Sequence, residues 1–235
     1  MISKELTLVL PTKNHENIVL DNLKYIDSYL KNNFTNYEII VVSNGSSEHN
    51  VNLLKQNNNI FINHLIFEQS GKGFAVREGI KNSSYKYILI CDADLSVDIK
   101  YVKKFFENGT PLASFVVGSR KLNDSSVEKT PLIRLLSGGV FTYLTKYYLG
   151  INISDTQCGF KLIDKSQFLN CNKYNSNDFF YDVELFLLAK KLFLSVTEVP
   201  VKYIHNNKSS ISLLSDSVKM FFKIITIKKT INKSD

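Results

Sequence analysis

A chain of 235 residues and 26.9 kDa is long enough for one medium-sized domain, and its 44% hydrophobic, 22% charged and 12% aromatic residues exclude disorder and fibrous repeats. No apolar run reaches the roughly 18 to 20 residues of a spanning helix, and the start MISKELTLVLP lacks the basic region, long apolar stretch and cleavage site of a signal peptide. Twenty-nine Lys and Arg against 22 Asp and Glu leave a charge of +7, which favours a phosphate-bearing partner, whether nucleic acid, nucleotide or anionic lipid.

Leu6 to Leu10 is a short apolar run stopped by Pro11, and Ile18, Leu23, Ile26 and Leu30 then recur at helical spacing, so the first unit reads strand, loop, helix. The unit repeats: Tyr37 to Val42 is a β-branched strand ending in SNGSS, and Val51 to Gln56 continues as a helix. Asn63 to Phe67 is a third strand, followed by a Gly-containing segment and a helix from Phe74 to Lys81. Tyr85 to Cys91 is a fourth, ending in DADLS. Short strands apolar on both faces and alternating with helices predict an α/β fold with a mostly parallel sheet covered on both sides.

The second half is less regular. A strand at Ala113 to Gly118 precedes GSR and a polar loop; then come a helix from about Leu132 to Tyr148, a loop carrying QCGFK, a helix from about Val183 to Leu192 and a strand around Thr197 to Ile204. With no Pro- or Ser-rich linker, residues 1–211 read as one domain and 212–235 as a basic amphipathic helix and tail. In that tail Leu214, Val218, Phe221 and Ile225 share a face, while Lys219 and Lys223 lie elsewhere. Cys91, Cys158 and Cys171 form no CxxC pair, which predicts a reducing compartment and no structural zinc.

Ligands of open parallel sheets collect at the carboxyl ends of the strands. Asp92-Ala93-Asp94, leaving the apolar strand KYILIC, places two carboxylates where they can share a divalent cation that bridges two phosphates; a solvated turn or a helix N-cap is the alternative. Ser70 to Arg77 (SGKGFAVR) sets Lys72 between two glycines at a helix start, as a phosphate site or as a tight turn with a solvated lysine. It matches neither GxGxxG nor GxxxxGK[ST].

The ordered series VLPTKNHEN, EIIVVSNGSS, GKGFAVREGI, CDADLS, VVGSR, SDTQCGFKL, YDVELF and EVPVKYIH, from about Leu6 to Ile211, resembles the family 2 glycosyltransferases of GT-A fold. Within them it is most similar to the dolichyl-phosphate and polyprenyl-phosphate sugar transferases, and QCGFK and DADLS favour the β-glucosyl branch. The resemblance implies nucleotide-sugar binding by Pro11, Thr12, Glu16, Ser43, Asn44, Lys72, Asp92, Ala93 and Asp94, with Asp92 and Asp94 holding Mg²⁺ or Mn²⁺. It implies that Arg120, Arg134, Ser137, Gln157, Lys161 and His205 serve the donor and acceptor phosphates, and that Asp182, with Glu184 as second choice, is catalytic or positions the sugar. The chain departs from the family at Lys13, His15 and Ile211, and at Ser43 and Asn44, where an Asp pair is usual.

The implied reaction is inverting, metal-dependent transfer of glucose from UDP-glucose to dolichyl or polyprenyl phosphate. The enzyme would work as a peripheral protein on the cytoplasmic membrane face, with a membrane subunit or a second copy as possible partner and without nucleic acid. A GDP-mannose donor, a glycan acceptor and a catalytically inactive nucleotide-binding scaffold are the alternatives. The tail could lie among lipid headgroups through Phe221, Phe222, Ile224 and Ile225, or pack on the domain.

Overall fold

The computed structural model describes residues 2–57, 60–128, 142–168, 176–204, 223, 224 and 227. The chain opens with β1 (Ser3–Thr12), α1 (Glu16–Asn33), β2 (Phe34–Asn44), α2 (Glu48–Lys55), β3 (Asn63–Phe67), α3 (Lys72–Lys81) and β4 (Tyr87–Ile90). A 3₁₀ helix (Ile99–Phe105) leads through the hairpin β5 (Phe106–Glu107) and β6 (Thr110–Pro111) to β7 (Phe115–Ser119) and β8 (Ser126–Glu128). After a helical stretch at 142–149 come β9 (Lys161–Asp164), α4 (Tyr181–Lys191), β10 (Val196–Pro200) and β11 (Lys202–Ile204).

Seven strands form one sheet in the order β10-β7-β9-β4-β1-β2-β3. All neighbours are parallel except β9, which runs antiparallel to both β4 and β7. The expected mostly parallel α/β sheet is therefore present. Alternation along the strands sorts the core into two layers: Leu6, Leu8, Leu10, Ile39 and Val41 pack with Val19, Leu23, Ile26 and Leu30 of α1, whereas Val9, Ile40, Val42, Ile88 and Ile90 pack with α3 and α4. Val19 rather than Ile18 is the first fully buried apolar residue of α1.

Two differences from the sequence expectation shape the site. The segment after QCGF, read as loop, is β9; because it runs against its neighbours, it begins where they end, and Lys161 is paired in register with Ile90 and Val117. The single strand expected from Thr197 to Ile204 is broken after Pro200. β10 stays in the main sheet and β11 pairs with β8, its Ile204 amide donating to the Ser96 carbonyl at 2.9 Å.

Candidate functional site

β4 delivers Asp92 and Asp94 to the edge where β1, β2 and β7 also end. The loop is held from α1, whose Asn22 side-chain amide donates to the Ala93 carbonyl at 3.0 Å. Asp94 accepts from the Ser96 amide at 3.0 Å and the Ser96 hydroxyl at 2.7 Å, closing a tight turn. Asp92 is more open: its side chain is 40% exposed, and one oxygen lies 2.8 Å from Lys72 Nζ. Desolvation would raise its carboxyl pKa, but Lys72, Lys161 and Arg120 outweigh it and hold the group below the usual range.

Room for this carboxylate comes from Gly159. A Cβ there would sit 1.9 Å from Asp92 Oδ2, so the glycine of QCGFK is a cut-out for the acid after β4. The two acids supply hard oxygen donors suited to Mg²⁺ or Mn²⁺, and the open edge of Asp92 leaves room for ligands from outside the protein. Among the described residues no cluster of three or more His, Cys, Asp or Glu could encage a metal. An ion here would complete its shell from substrate phosphates and water, as Mg²⁺ commonly does.

Lys72 opens α3, but the first amides of that helix are not free. Gly73 and Phe74 both donate to the Asn177 carbonyl, at 2.9 and 3.3 Å, and Arg77 grips Ser176 O and Asn177 Oδ1 from the same helix. The contribution of SGKGFAVR is therefore the ammonium, not a backbone cradle. Burial would lower the Lys72 pKa, yet Asp92 and Asp182 together keep it above the ordinary value.

Lys161 is fully buried, 3.0 Å from Asp182 Oδ1, and also donates to the Cys158 carbonyl. Asp182 and Glu184 start α4 two residues apart, a spacing that turns them by about 200° around a helix. The structure accordingly does not bring them together: Asp182 meets Lys161, while Glu184 accepts from the Ser176 amide at 2.9 Å and hydroxyl at 2.7 Å. There it borders a cavity of about 490 Å³ shared with Ser70, Gly71, Asn177, Asp178 and Lys223.

Arg120, just beyond β7, makes a fork with Asp155, Nε to Oδ2 at 2.7 Å and Nη2 to Oδ1 at 2.9 Å, and its guanidinium lies 5.1 Å from the Tyr203 ring centre. Burial alone would raise the Asp155 pKa; Arg120 reverses this and holds it at about 2. Glu198 of β10 fixes the same turn, accepting from the Ser154 amide at 2.9 Å and the Asp155 amide at 3.1 Å. Gln157 closes the turn through its amide, 3.3 Å from Asp155 Oδ1.

At the β1–β3 side, Pro11 is paired with Val42 and Thr12 with Ser43. Thr12, Glu16 and Ser43 are buried, and Ser43 Oγ lies 2.9 Å from His64 Nε2. Asn44 faces the other way and donates to the Gly71 carbonyl at 2.9 Å, bracing the start of α3. Arg134, Ser137 and His205 lie outside the described residues, as does most of the tail. The tail's Ile224, expected among headgroups or on the domain, is fully buried in the α4-side core, and Lys223 pairs with Asp178. Among the described residues no helix is long and apolar enough to cross a membrane.

Sequence reasoning passed over Asp155, Glu198, His64 and Gly159. Asp155 and Gly159 stood within the quoted motif SDTQCGFKL, where an arginine expected at a buried edge called for a carboxylate partner. Glu198 and His64 gave no such signal.

The model of the family described as Glycosyl transferase family 2 matches residues 7–169. A dolichyl-phosphate beta-glucosyltransferase of Saccharomyces cerevisiae is 29% identical over 95% of this chain and 74% of its own length. One from Trichomonas vaginalis is 30% identical over 94% and 72%. Among solved structures, mannosyl-3-phosphoglycerate synthase from Rubrobacter xylanophilus superposes with a TM-score of 0.72 at 14% identity, covering 99% of this chain and 76% of that one. Glucosyl-3-phosphoglycerate synthase from Mycobacterium tuberculosis, solved with Mn²⁺, uridine diphosphate and phosphoglyceric acid, gives 0.69 at 14% identity over 96% and 78%.

Proposed function

The chain belongs to glycosyltransferase family 2, and on that premise we propose that it transfers glucose, with inversion, from UDP-glucose to the phosphate of dolichol or a related polyprenol at the cytoplasmic membrane face. The observation that carries the reading is the convergence, at one sheet edge, of Asp92 and Asp94 with three cations placed by different strands and helices: Lys72, Lys161 and Arg120. The dolichyl-phosphate beta-glucosyltransferases similar to the chain along nearly its whole length supply the substrate classes.

Asp92 and Asp94 would hold Mg²⁺ or Mn²⁺, which when bound supplies charge neutralisation to a leaving diphosphate. Lys72, 2.8 Å from Asp92, adds a fixed positive charge at the same edge. A lipid phosphate is already anionic near neutral pH, so its oxygen needs orientation and charge compensation more than a base. Arg120, with a planar fork braced by Asp155, suits a phosphate oxygen, and the Lys161–Asp182 pair positions the sugar. Glu184, with both oxygens committed to Ser176, holds the loop that caps α3.

The test is transfer of radiolabel from UDP-glucose into the organic phase with purified full chain, dolichyl phosphate and Mg²⁺ or Mn²⁺, beside GDP-mannose and an Asp94→Ala control. Lipid-phase label from UDP-glucose, lost in the variant, is the expected result. Label from GDP-mannose alone would replace the donor, and nucleotide binding without any lipid product would replace the acceptor.

A further inference from the structure

β11 follows the end of β10 and pairs with β8 outside the main sheet. Its outer residues, Lys202 and Ile204, are exposed, whereas Tyr203 between them is half-buried, the alternation of a strand with one covered face. That face meets two parts of the site that come from different strands. On one side Tyr203 bridges antiparallel to Val97, and the Ile204 amide donates to the Ser96 carbonyl at 2.9 Å, lacing β11 to the turn that follows β4. The side chains of Tyr203 and Ser96 are hydrogen-bonded, and Ser96 Oγ donates to Asp94 Oδ2 at 2.7 Å. On the other side the Arg120 guanidinium, presented by the end of β7, stands over the Tyr203 ring at 5.1 Å from its centre, a cation–π contact.

We propose that Tyr203 is a positioning residue that sets the metal-binding turn and Arg120 at a fixed separation, its hydroxyl steadying Asp94 through Ser96 and its ring seating the guanidinium. The proposal rests on the reading given above, in which Asp94 holds a divalent ion and Arg120 a phosphate oxygen. The Asp155 fork fixes the guanidinium along its edge but leaves its tilt free; an aromatic face in contact with it removes that freedom. Asp94 and Ser96 close a turn only two residues long. A serine hydroxyl rotates readily, and a partner outside the turn limits Ser96 to the orientation that keeps its bond to Asp94. Transfer needs the donor diphosphate and the acceptor phosphate placed to within about 1 Å of each other's productive position, and Tyr203 touches the holders of both. Tyrosine suits this role because it joins a broad apolar face to a polar tip.

Two substitutions in the full chain separate the halves of the role: Tyr203→Phe keeps the ring under Arg120 and removes the hydroxyl, and Tyr203→Leu removes both. Mn²⁺ affinity in the presence of UDP is read from the paramagnetic resonance of free Mn²⁺, acceptor affinity from the KM for dolichyl phosphate, and folding from melting curves. Tyr203→Phe should weaken Mn²⁺ by about 3- to 10-fold and leave the acceptor KM unchanged. Tyr203→Leu should weaken Mn²⁺ to the same extent and also raise the acceptor KM by about 2- to 5-fold. Wild-type Mn²⁺ affinity and KM in both folded variants would overturn the proposal, as would a fall in kcat alone. A KM raised as much by Tyr203→Phe as by Tyr203→Leu would overturn the seating of Arg120 by the ring. A wild-type chain that binds Mn²⁺ with UDP but makes no lipid product would retire the acceptor reading and the Arg120 half with it, while the Mn²⁺ affinities still decide the Asp94 half. Absence of Mn²⁺ binding in the wild-type chain would sink the metal reading itself.

Discussion

Gly159→Ala changes no charge and no hydrogen-bonding side chain, yet it should disable the site. The added methyl would stand 1.9 Å from Asp92 Oδ2 and 2.4 Å from its Cγ. To reach an ordinary contact the carboxylate oxygen must retreat by about 1.5 Å, more than the ~1 Å misplacement that costs on the order of 100-fold in rate. The backbone can accept alanine, since Gly159 is not among the residues with positive φ, and the group that must move is the end of a side chain. Stability should therefore change by no more than about 1 kcal/mol, the usual range away from core cavities and lost networks.

The assay pairs thermal melting with metal-dependent UDP binding and glucosyl transfer. The expected signature is a near wild-type melting temperature with activity down by about 100-fold and weakened metal-dependent UDP binding. A folded variant with wild-type activity and metal dependence would refute the claim that Gly159 exists to admit Asp92. Equal collapse of stability and activity would refute the claim that the carboxylate can yield without the fold.

Lys161→Met removes one half of a buried pair and should cost about 3–5 kcal/mol, lowering the melting temperature by about 6–20 °C; Lys161→Met/Asp182→Asn should regain part of that, and additive losses in a double-mutant cycle would show that the pair is not coupled. Asp155, held at about 2 against an ordinary 3.8, stabilises the folded state above its unfolded pKa and loses that contribution as pH falls from about 4 to 2. The shift is worth about 2–3 kcal/mol; urea melts of Asp155→Asn should lack this acid limb, and an unchanged limb would contradict it. Gly73→Ala, whose Cβ would meet the Ser176 carbonyl oxygen at 2.2 Å and Tyr181 Cβ at 2.6 Å, should destabilise by more than Gly159→Ala, because one obstacle is backbone; chemical denaturation of the two variants side by side decides it.

The first half of the chain was legible because β1, β2 and β4 are buried on both faces over Leu6–Leu10, Ile39–Val42 and Ile88–Ile90 and so read as continuous apolar runs; the part-exposed edge strand Asn63–Phe67 also has the expected bounds, and the expected helix 74–81 begins only two residues earlier. The second half hid β9 because four residues beginning with lysine carry no strand signature. The burial of Lys161 is created by the antiparallel pairing, not announced by its neighbours. Pro200 ends β10, a strand at the sheet's edge where proline is tolerated, and the chain leaves the main sheet immediately after it. For the site, motif order located Asp92, Lys72, Arg120, Lys161 and Asp182 at one edge, but not their pairing. Glu184, the second choice beside Asp182, is turned by helix geometry onto Ser176. His64 was invisible because its hydroxyl partner, Ser43, arrives from a neighbouring strand.

The pairing also gives a physical reason for the divalent ion in the proposed reaction. Each of the three cations gathered at that sheet edge among the described residues already has a carboxylate: Lys72 has Asp92, Lys161 has Asp182, and Arg120 has Asp155. Asp94 adds a further acid, so these seven groups carry more negative than positive charge when ionised. These seven groups by themselves do not attract a diphosphate by net charge, whatever the +7 of the whole chain suggests. What the pairs do is hold each cation in place before substrate arrives, so that less orientation is lost on binding. On the proposed reading, a divalent cation held by Asp92 and Asp94 would reverse the local sign, and phosphate binding at the chemical centre would depend on it.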